Sequence, residues 1–337
     1  MPDPRASRAD SRTLPLLGPD PKARTRVTTG LLVGLDENGM GPRLGPLLCT
    51  AVSVRASSRY RSGRAIAKAR EVGIDDSKAT SAHGKMAAAE GIALAVVEAT
   101  TGSVPSDVDA LLAAIELDGP DRLQHRCPGT TRAQCWSAPV ALPRFASEED
   151  LDRGREAIRA LRSLGLELLR VRCVYHCASL INAAKESGVN KLVLDLRAFE
   201  RLSEDAWLTH GERREGRFVC GMIGGLRRYV PHMRLSHRFP VLTCDEQRDA
   251  STYWLDGFGE MRFEIDADAS HVPVALASIV GKLVRELAVE RQNAFYGEHV
   301  ADLPAASGYH DPITARFVDA TARVRKKLRI ASACFER

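Results

Sequence analysis

The chain has 337 residues, of which 44% are apolar and 27% are charged, and its formal net charge is +5. This composition predicts a globular protein with a sizeable core, built mainly from Ala, Leu and Val because only 5% of the residues are aromatic. The sequence contains neither an apolar run of the roughly 18 residues that a membrane span needs nor the apolar region of a secretory signal, so we expect a cytoplasmic protein. The mild positive charge is compatible with a polyanionic partner but does not require one.

The composition of the chain changes after residue 28. Residues 1–28 are rich in Pro, Arg, Ser and Asp and lack apolar periodicity, which predicts a disordered basic tail. The elements predicted next are strands over Leu31–Leu35 and Leu47–Val54, a helix over Ala79–Thr100 and a short helix over Val108–Ile115. Asp76 and Ser77 are suitable N-caps for the Ala-rich helix.

The rest of the chain mixes strands and helices. The predicted elements are helices over Glu148–Leu164, Ser179–Leu208 (interrupted near Gly188), Val274–Tyr296 and Pro312–Arg329, and strands over Leu166–Tyr175, Arg217–Gly221, Pro240–Cys244 and Met261–Ile265. This order predicts an α/β fold with a mixed sheet flanked by helices and a C-terminal helical extension. The eight cysteines follow no disulfide framework, so reduced thiols are expected.

The most informative motif lies at the end of the first predicted strand. The apolar run 31–35 leads into the adjacent acids Asp36 and Glu37, and Gly39-Met40-Gly41-Pro42 follows directly. Acids often close a strand before a turn, so the pair alone is ambiguous. The glycines, however, permit another molecule to approach the backbone closely.

Two further motifs complete a pattern. Asp76-Ser77-Lys78 opens a predicted helix, and Asp266-Ala267-Asp268 precedes a helix with Ala277-Ser278-Ile279, Lys282 and Arg285. Together with the first motif, these residues resemble type 2 ribonuclease H (ribonuclease HII). That family has Asp-Glu-x-Gly-Arg-Gly-Pro, an Asp-Ser-Lys helix start, and an Asp before an Ala-Ser-Ile-x-x-Lys-x-x-Arg helix. The resemblance extends from about Leu31 to Tyr309.

The resemblance implies a ribonuclease H-like fold and a reaction. It implies a catalytic domain over 29–300, with insertions near 101–145 and 205–258, followed by a C-terminal helical segment over 301–337. It implies metal-dependent cleavage of the RNA strand, or of an embedded ribonucleotide, in an RNA/DNA hybrid. Separately from the resemblance, we expect a monomer. Carboxylate oxygens suit Mg²⁺ or Mn²⁺, and two such ions can activate water for phosphodiester hydrolysis.

The resemblance also assigns residues. The implied catalytic residues and metal ligands are Asp36, Glu37 and Asp268. The implied substrate-binding residues are Gly39, Met40, Gly41, Ser77, Lys78, Lys282, Arg285 and Tyr309.

The chain departs from the family pattern at several positions. Met40 stands in place of the Arg in Gly-Arg-Gly, so a guanidinium contact is lost. After Tyr309 the sequence continues with His310-Asp311 rather than the usual Gly-Thr, and sugar recognition is expected to differ.

The third acid of the family, which ends a central strand, has no clear counterpart. The best strand lies over Phe218–Met222, and Gly221 stands there in the place of the acid. Asp195 is the competing candidate, but the apolar spacing around it predicts a helix. Alternatively, water fills the gap, or Glu246 or Asp266 replaces the missing ligand.

This departure leaves three functions open. The first is an active nuclease on RNA/DNA hybrids. The second is a weak or inactive relative that binds nucleic acid, and the third is a DNA-strand nuclease on the same fold. A basic segment, Arg213, Arg214, Arg217, Arg227 and Arg228, fits nucleic-acid binding with or without cleavage.

Overall fold

A mixed seven-stranded sheet forms the centre of the protein, as predicted. The structure is a computed structural model that describes residues 30–74, 86–125, 127, 134–211 and 215–337. The strands are β1 (Gly30–Asn38), β2 (Leu47–Ala56), β3 (Leu166–His176), β4 (Gly216–Gly221), β5 (Val241–Glu246), β6 (Ala250–Leu255) and β7 (Gly259–Glu264). They are arranged in the order β3-β2-β1-β4-β7-β6-β5.

Strand β1 lies near the middle of this sheet and is apolar for that reason. It pairs antiparallel with β2 and parallel with β4, and β4 pairs parallel with β7. Residues 31–35 of β1 are buried, as a strand covered on both faces requires. Because β1, β4 and β7 run in the same direction, their carboxyl ends reach the same edge of the sheet.

Helices cover both faces of the sheet. They are α1 (Ser62–Glu71), α2 (Met86–Thr101), α3 (Val108–Ile115), α4 (Pro120–Gln124), α5 (Glu148–Ser163), α6 (Ala178–Glu186), α7 (Lys191–His210), α8 (Val272–Gly297), α9 (Pro312–Lys327) and α10 (Ser332–Phe335). One core cluster joins the sheet to α2, α5 and α8, and a second joins the opposite face to α7. None of the helices within the described ranges is long and apolar enough to span a membrane.

Helix α8 lies unusually close to β1. A Cβ atom on Gly34 would lie 2.2 Å from the carbonyl carbon of Pro273, so only glycine fits there. Near the other end of the contact, a Cβ on Gly281 would lie 2.8 Å from Nδ2 of Asn38. These two glycines bring the middle of α8 against the carboxyl end of β1.

Most predicted elements are present, with a few differences. The helix predicted over 179–208 is interrupted near Gly188 as expected, which gives the two helices α6 and α7, and Asp195 is helical as expected. Strand β6 was not predicted, although its residues alternate between buried and partly buried. Helix α2 is described from Met86; the predicted tail, Asp76, Ser77, Lys78, Arg213 and Arg214 lie outside the described residues.

Candidate functional site

Asp36 is the central residue of the candidate site. It lies near the end of β1, where the Ser278 hydroxyl of α8 donates a hydrogen bond to its carboxylate. Burial raises the pKa of Asp36 well above its ordinary value, and the nearby charges of Asp268 and Glu37 raise it further. Asp36 is therefore a carboxylate that favours a positively charged partner.

Asp268 reaches the same sheet edge from the next connection. It lies in a short 3₁₀ turn, Ala267–Ala269, between β7 and α8, and its Oδ1 accepts a hydrogen bond of 3.0 Å from the amide of Ala269. Because β7 runs parallel to β4 and β1, this turn comes close to the end of β1. The two carboxylates are near enough for the charge of Asp268 to act on Asp36.

Glu37 has a different set of neighbours. Consecutive side chains of a strand point to opposite faces. Burial raises the pKa of Glu37, whereas the amide of Met40 and the charges of Lys191 and Arg337 lower it. Its Oε2 is buried and has no hydrogen-bond partner among the described residues, so this oxygen is an unsatisfied acceptor there.

Asp195 is a buried carboxylate near the strand-end acids. It is fully buried in α7, and its Oδ1 accepts a hydrogen bond from the thiol of Cys49 at 2.7 Å. Burial raises its pKa, and the charges of Glu37 and Asp36 add to this effect. Within the described ranges, its Oδ2 has no hydrogen-bond partner. A helix thus places a carboxylate beside the acids of β1.

Gly221 lies beside Asp36 but has no side chain that could act as a ligand. A Cβ at Gly221 would lie 2.6 Å from Oδ1 of Asp36. Glu246, considered above as a replacement ligand, accepts a hydrogen bond from the Tyr253 hydroxyl at 2.6 Å and pairs with Arg228 at 3.8 Å. Asp266, the other alternative, is exposed and has a left-handed backbone with φ of 48°.

Two loops border the acids. Gly39 has φ of 97°, and a Cβ there would lie 2.6 Å from the carbonyl oxygen of Pro46, so this position requires glycine. The carbonyl of Met40 accepts a hydrogen bond from the ammonium of Lys191, while Gly41 faces open space. This loop connects β1 to β2.

The second loop carries Tyr309. The carbonyl of Gly308 accepts hydrogen bonds from the amides of Arg43 and Leu44 at 2.8 and 2.9 Å, which joins this loop to the β1–β2 connection. Tyr309 is 47% exposed, and the Arg285 guanidinium lies 4.3 Å from the centre of its ring. The two loops predicted to bind substrate therefore lie next to each other, and the ring of Tyr309 on the second loop is exposed to solvent.

The predicted cations differ in their surroundings. Arg285 is 1% exposed, donates to the carbonyl of Ser307 at 2.9 Å and pairs with Glu286. In this structure it supports the Tyr309 loop rather than facing solvent. Lys282 is partly exposed on the same helix.

Sequence reasoning missed three members of the site: Cys49, Lys191 and Arg337. Lys191 precedes Asp195 by one helical turn, which was a local signal for a shared helix face. Cys49 and Arg337 carried no such signal, because each reaches the acids only through the tertiary fold.

The donor chemistry of the site fits a hard divalent cation. Asp36 feels the charges of Glu37 and Asp268, Asp195 feels those of Asp36 and Glu37, and among the described residues the buried oxygens Glu37 Oε2 and Asp195 Oδ2 lack hydrogen-bond partners. No three His, Cys, Asp or Glu side chains in the described ranges are already arranged to hold an ion. The fit therefore rests on the ligand type and on these unsatisfied oxygens.

The chain was compared with known proteins in three ways. No family model matches, and no curated protein sequence is significantly similar. It is similar to the ribonuclease H2 of Pyrococcus horikoshii OT3, with 15% identity over 90% of this chain and 92% of that chain and a TM-score of 0.43. Bst-RNase HIII, solved in complex with Mn²⁺, shows 13% identity over 92% of this chain and 67% of that chain, with a TM-score of 0.43. The RNase HII of Archaeoglobus fulgidus, solved in a complex with PCNA, shows 14% identity over 90% and 93% of the two chains, with a TM-score of 0.39.

Proposed function

We propose that this protein is a metal-dependent nuclease that hydrolyses the RNA strand, or an embedded ribonucleotide, of an RNA/DNA hybrid duplex. The observation that supports this proposal is that the charges of Glu37 and Asp268 act on the buried Asp36 near the carboxyl end of β1, and that the buried Asp195 lies near enough to feel the charges of Asp36 and Glu37. The motif resemblance to type 2 ribonuclease H supports the same reaction.

The acids would hold Mg²⁺ or Mn²⁺. Such ions, when bound, activate the attacking water and stabilise the leaving oxygen. The residues of the chain prepare the site: Ser278 orients Asp36, and the Cys49 thiol fixes one oxygen of Asp195. Burial and mutual repulsion of the carboxylates disfavour the charged cluster on its own, so a cation would relieve this repulsion.

The neighbouring loops would bind the substrate. Gly39 and Gly41 leave room for the backbone to approach the ribose, where a 2′-hydroxyl distinguishes RNA from DNA. The exposed ring of Tyr309 provides a flat surface on which a sugar or a base can stack. Lys282, together with Ser77 and Lys78 from outside the described residues, would contact phosphates.

Replacement of Asp36 tests the reaction. The wild-type protein is expected to cut a duplex that carries one ribonucleotide in the presence of Mg²⁺ or Mn²⁺. Asp36→Asn is expected to lower the rate at least about 100-fold, because a ligand charge is removed. Asp256→Asn, an exposed acid in the β6–β7 turn, is the matched control and should cut at the wild-type rate. Full activity of Asp36→Asn would contradict the proposal, and equal cutting of an all-DNA duplex would identify a DNA-strand nuclease instead.

Replacement of Asp195 tests whether the helix supplies a ligand. Asp195→Asn should stabilise the ion-free protein, because it removes a buried like charge near Glu37. It should also weaken Mn²⁺ binding about tenfold, which lowers the ion-induced stabilisation by about 1.4 kcal/mol. Thermal unfolding with and without Mn²⁺ measures both effects. Asp205→Asn on the same helix, whose carboxylate lies 4.0 Å from Arg170, is the control. An unchanged Mn²⁺ response in Asp195→Asn would remove Asp195 from the ligand set.

Gly221 supports a second candidate function. It leaves the position beside Asp36 without a carboxylate, and a weakened site would bind nucleic acid without cutting it. Tight, salt-sensitive binding of the duplex by wild-type protein without cleavage in either ion would favour this candidate.

A further inference from the structure

A segment far from the acids in sequence docks beside the candidate site. This segment, residues 331–337, contains α10 and is named here the docking segment. Glu336 pairs with Arg43 through two contacts, of 2.6 and 3.2 Å, and the amide of Arg337 donates to the carbonyl of Arg43 at 3.3 Å. The Asn182 amide donates to the carbonyls of Ala333 and Glu336 at 2.9 and 2.7 Å. These contacts fix the docking segment on the β1–β2 connection and on α6.

The docking segment places a guanidinium among the site residues. Nη2 of Arg337 lies 3.6 Å from the position that a Cβ of Gly39 would occupy. Glu37 is near enough for its negative charge to act on Arg337, the repelling charge of Arg285 also acts on it, and the hydroxyl of Tyr309 lies nearby. Arg337 is therefore adjacent both to an acid of the site and to the two loops proposed to bind substrate.

This guanidinium has no acceptor among the described residues. Nε, Nη1 and Nη2 of Arg337 are all buried, and none has a hydrogen-bond partner in the part of the chain that the structure describes. Glu37 is nearby, yet its own Oε2 is also unpartnered. Burying a charged donor group without acceptors is unfavourable, so the arrangement is incomplete without an anionic ligand.

The surroundings favour a phosphate group as that ligand. A planar guanidinium binds phosphate oxygens through two parallel hydrogen bonds. The adjacent loop carries Met40, which provides no cation, and Arg285 is already bonded to Ser307 and Glu286. Arg337 thus adds unsatisfied guanidinium donors beside this loop.

We propose that Arg337 is a phosphate-binding residue of the candidate active site, carried there by the docking segment and directed at a phosphodiester of the nucleic-acid substrate. The identity of the substrate rests on the proposed function, whereas the phosphate contact rests on the buried, unpartnered guanidinium. Binding requires the phosphate to reach donors that are now covered, so the docking segment or the Tyr309 loop must shift to admit it.

The test compares full-length variants by duplex binding. Wild type, Arg337→Gln, Arg337→Lys and the control Arg323→Gln, an exposed arginine on α9, are titrated with a ribonucleotide-containing duplex in EDTA over a KCl series. Arg337→Gln should weaken binding about tenfold and reduce the slope of log K against log[salt] by about 0.9, the effect of one lost phosphate contact. Arg337→Lys should keep the slope but bind less tightly, because the planar fork is lost. Arg323→Gln should match wild type.

The folded state provides an independent readout. Since Arg337→Gln removes an unpartnered buried charge, its urea midpoint should equal or exceed that of wild type. Weaker binding in a protein of undiminished stability therefore supports a phosphate contact. An Arg337→Gln variant with the wild-type affinity and salt slope would overturn the proposal.

A second probe separates this proposal from the proposed function. If wild type binds the duplex but never cuts it, the binding comparison still decides the role of Arg337. If wild type does not bind the duplex, inorganic phosphate is used as the probe in thermal unfolding. Stabilisation of wild type but not of Arg337→Gln would support the phosphate contact and contradict the nucleic-acid function. If wild type neither binds the duplex nor is stabilised by inorganic phosphate, both proposals are overturned.

Discussion

Asp36 and Glu37 are neighbours on β1, and each contacts a different side of the candidate site. Asp36 receives the Ser278 hydrogen bond from α8, whereas the charge of Lys191 from α7 acts on Glu37, and Glu37 in turn acts on Asp195 of the same helix. This division follows from the alternation of side chains along β1. Burial raises the pKa of both acids, but burial has the same effect away from the site. Glu200 is 4% exposed, accepts a hydrogen bond from the amide of Leu235 at 2.7 Å, and has its pKa raised to about 7. A raised pKa alone therefore does not mark an active site.

Glu200 predicts a pH dependence of stability. Its pKa rises from 4.5 to about 7 on folding, so the folded protein holds a proton that the unfolded chain releases between these pH values. The stabilisation that protonated Glu200 contributes to the folded state is fully present below pH 4.5. It is lost as the pH rises through about 7. Glu200→Gln removes this loss and should raise the free energy of unfolding by about 1–3 kcal/mol at pH 8, with little change at pH 4.5. Urea unfolding at both pH values measures this, and Glu186→Gln, exposed on α6, should show no such difference. Equal effects of Glu200→Gln at both pH values would contradict the prediction.

At the scale of elements, the contact between β1 and α8 decides where the site forms. Most of α8 is buried, so its sequence carries little amphipathic signal and its orientation depends on close packing. Gly34 and Gly281 permit that packing, and Ser278 lies between them in the interface, where it reaches Asp36. Thus a backbone contact, and not only the catalytic motif, positions the central carboxylate.

Gly34→Ala should separate these two elements. The added Cβ would lie 2.2 Å from the carbonyl carbon of Pro273, which is backbone and cannot rotate away. We expect a loss of about 3 kcal/mol in the free energy of unfolding, together with reduced cleavage as Ser278 moves from Asp36. Gly63→Ala in α1 is the control, because a Cβ there meets nothing within 4 Å and alanine favours a helix. If urea unfolding shows Gly34→Ala to be as stable as Gly63→Ala, the close contact does not exist as described.

At the scale of the whole molecule, an aromatic cluster connects distant parts of the chain to the site. Phe335 of the docking segment is 1% exposed and lies 5.6 Å from the ring of Tyr296 in α8 and 6.4 Å from that of Phe317 in α9. Gln134 joins them: its amide donates to the carbonyl of Cys334 at 2.6 Å, and it accepts from the Tyr296 hydroxyl at 2.5 Å. This cluster holds the docking segment, and with it Arg337, in place.

Phe335→Ala tests this long-range connection. Loss of a buried ring should lower the free energy of unfolding by about 3–5 kcal/mol. It should also weaken duplex binding in the same way as Arg337→Gln, because the docking segment loses its anchor. Ile313→Ala on α9 is the control, since Ile313 is 44% exposed and should tolerate the change. Urea unfolding and the salt-dependent titration measure the two effects. Unchanged binding in a destabilised Phe335→Ala variant would show that Arg337 does not depend on this anchor.

Local patterns in the sequence were sufficient to predict much of the fold and to select candidate site residues. That the acids after the first strand form a functional sheet edge stays a prediction, whereas the buried strand over 31–35 and the helical position of Asp195 are confirmed. The two confirmed inferences succeeded because strand and helix formation depend on residues close together in the chain. Strand β6 was missed because its burial alternates but its sequence does not: the polar Ser251 lies on the buried face, and the apolar Ala250 and Trp254 lie on the partly buried face.

Only the tertiary structure decided which groups meet at the sheet edge. Cys49 contacts Asp195 across 146 positions of sequence, Gly221 lies beside Asp36, and Arg337 approaches Glu37 from the docking segment. Such meetings depend on strand order and on the packing of helices across the sheet, which no local periodicity encodes. The sequence by itself therefore determined which acids are candidates and which strands and helices carry them. Packing between distant elements determined which groups surround each acid and how those groups shift its pKa.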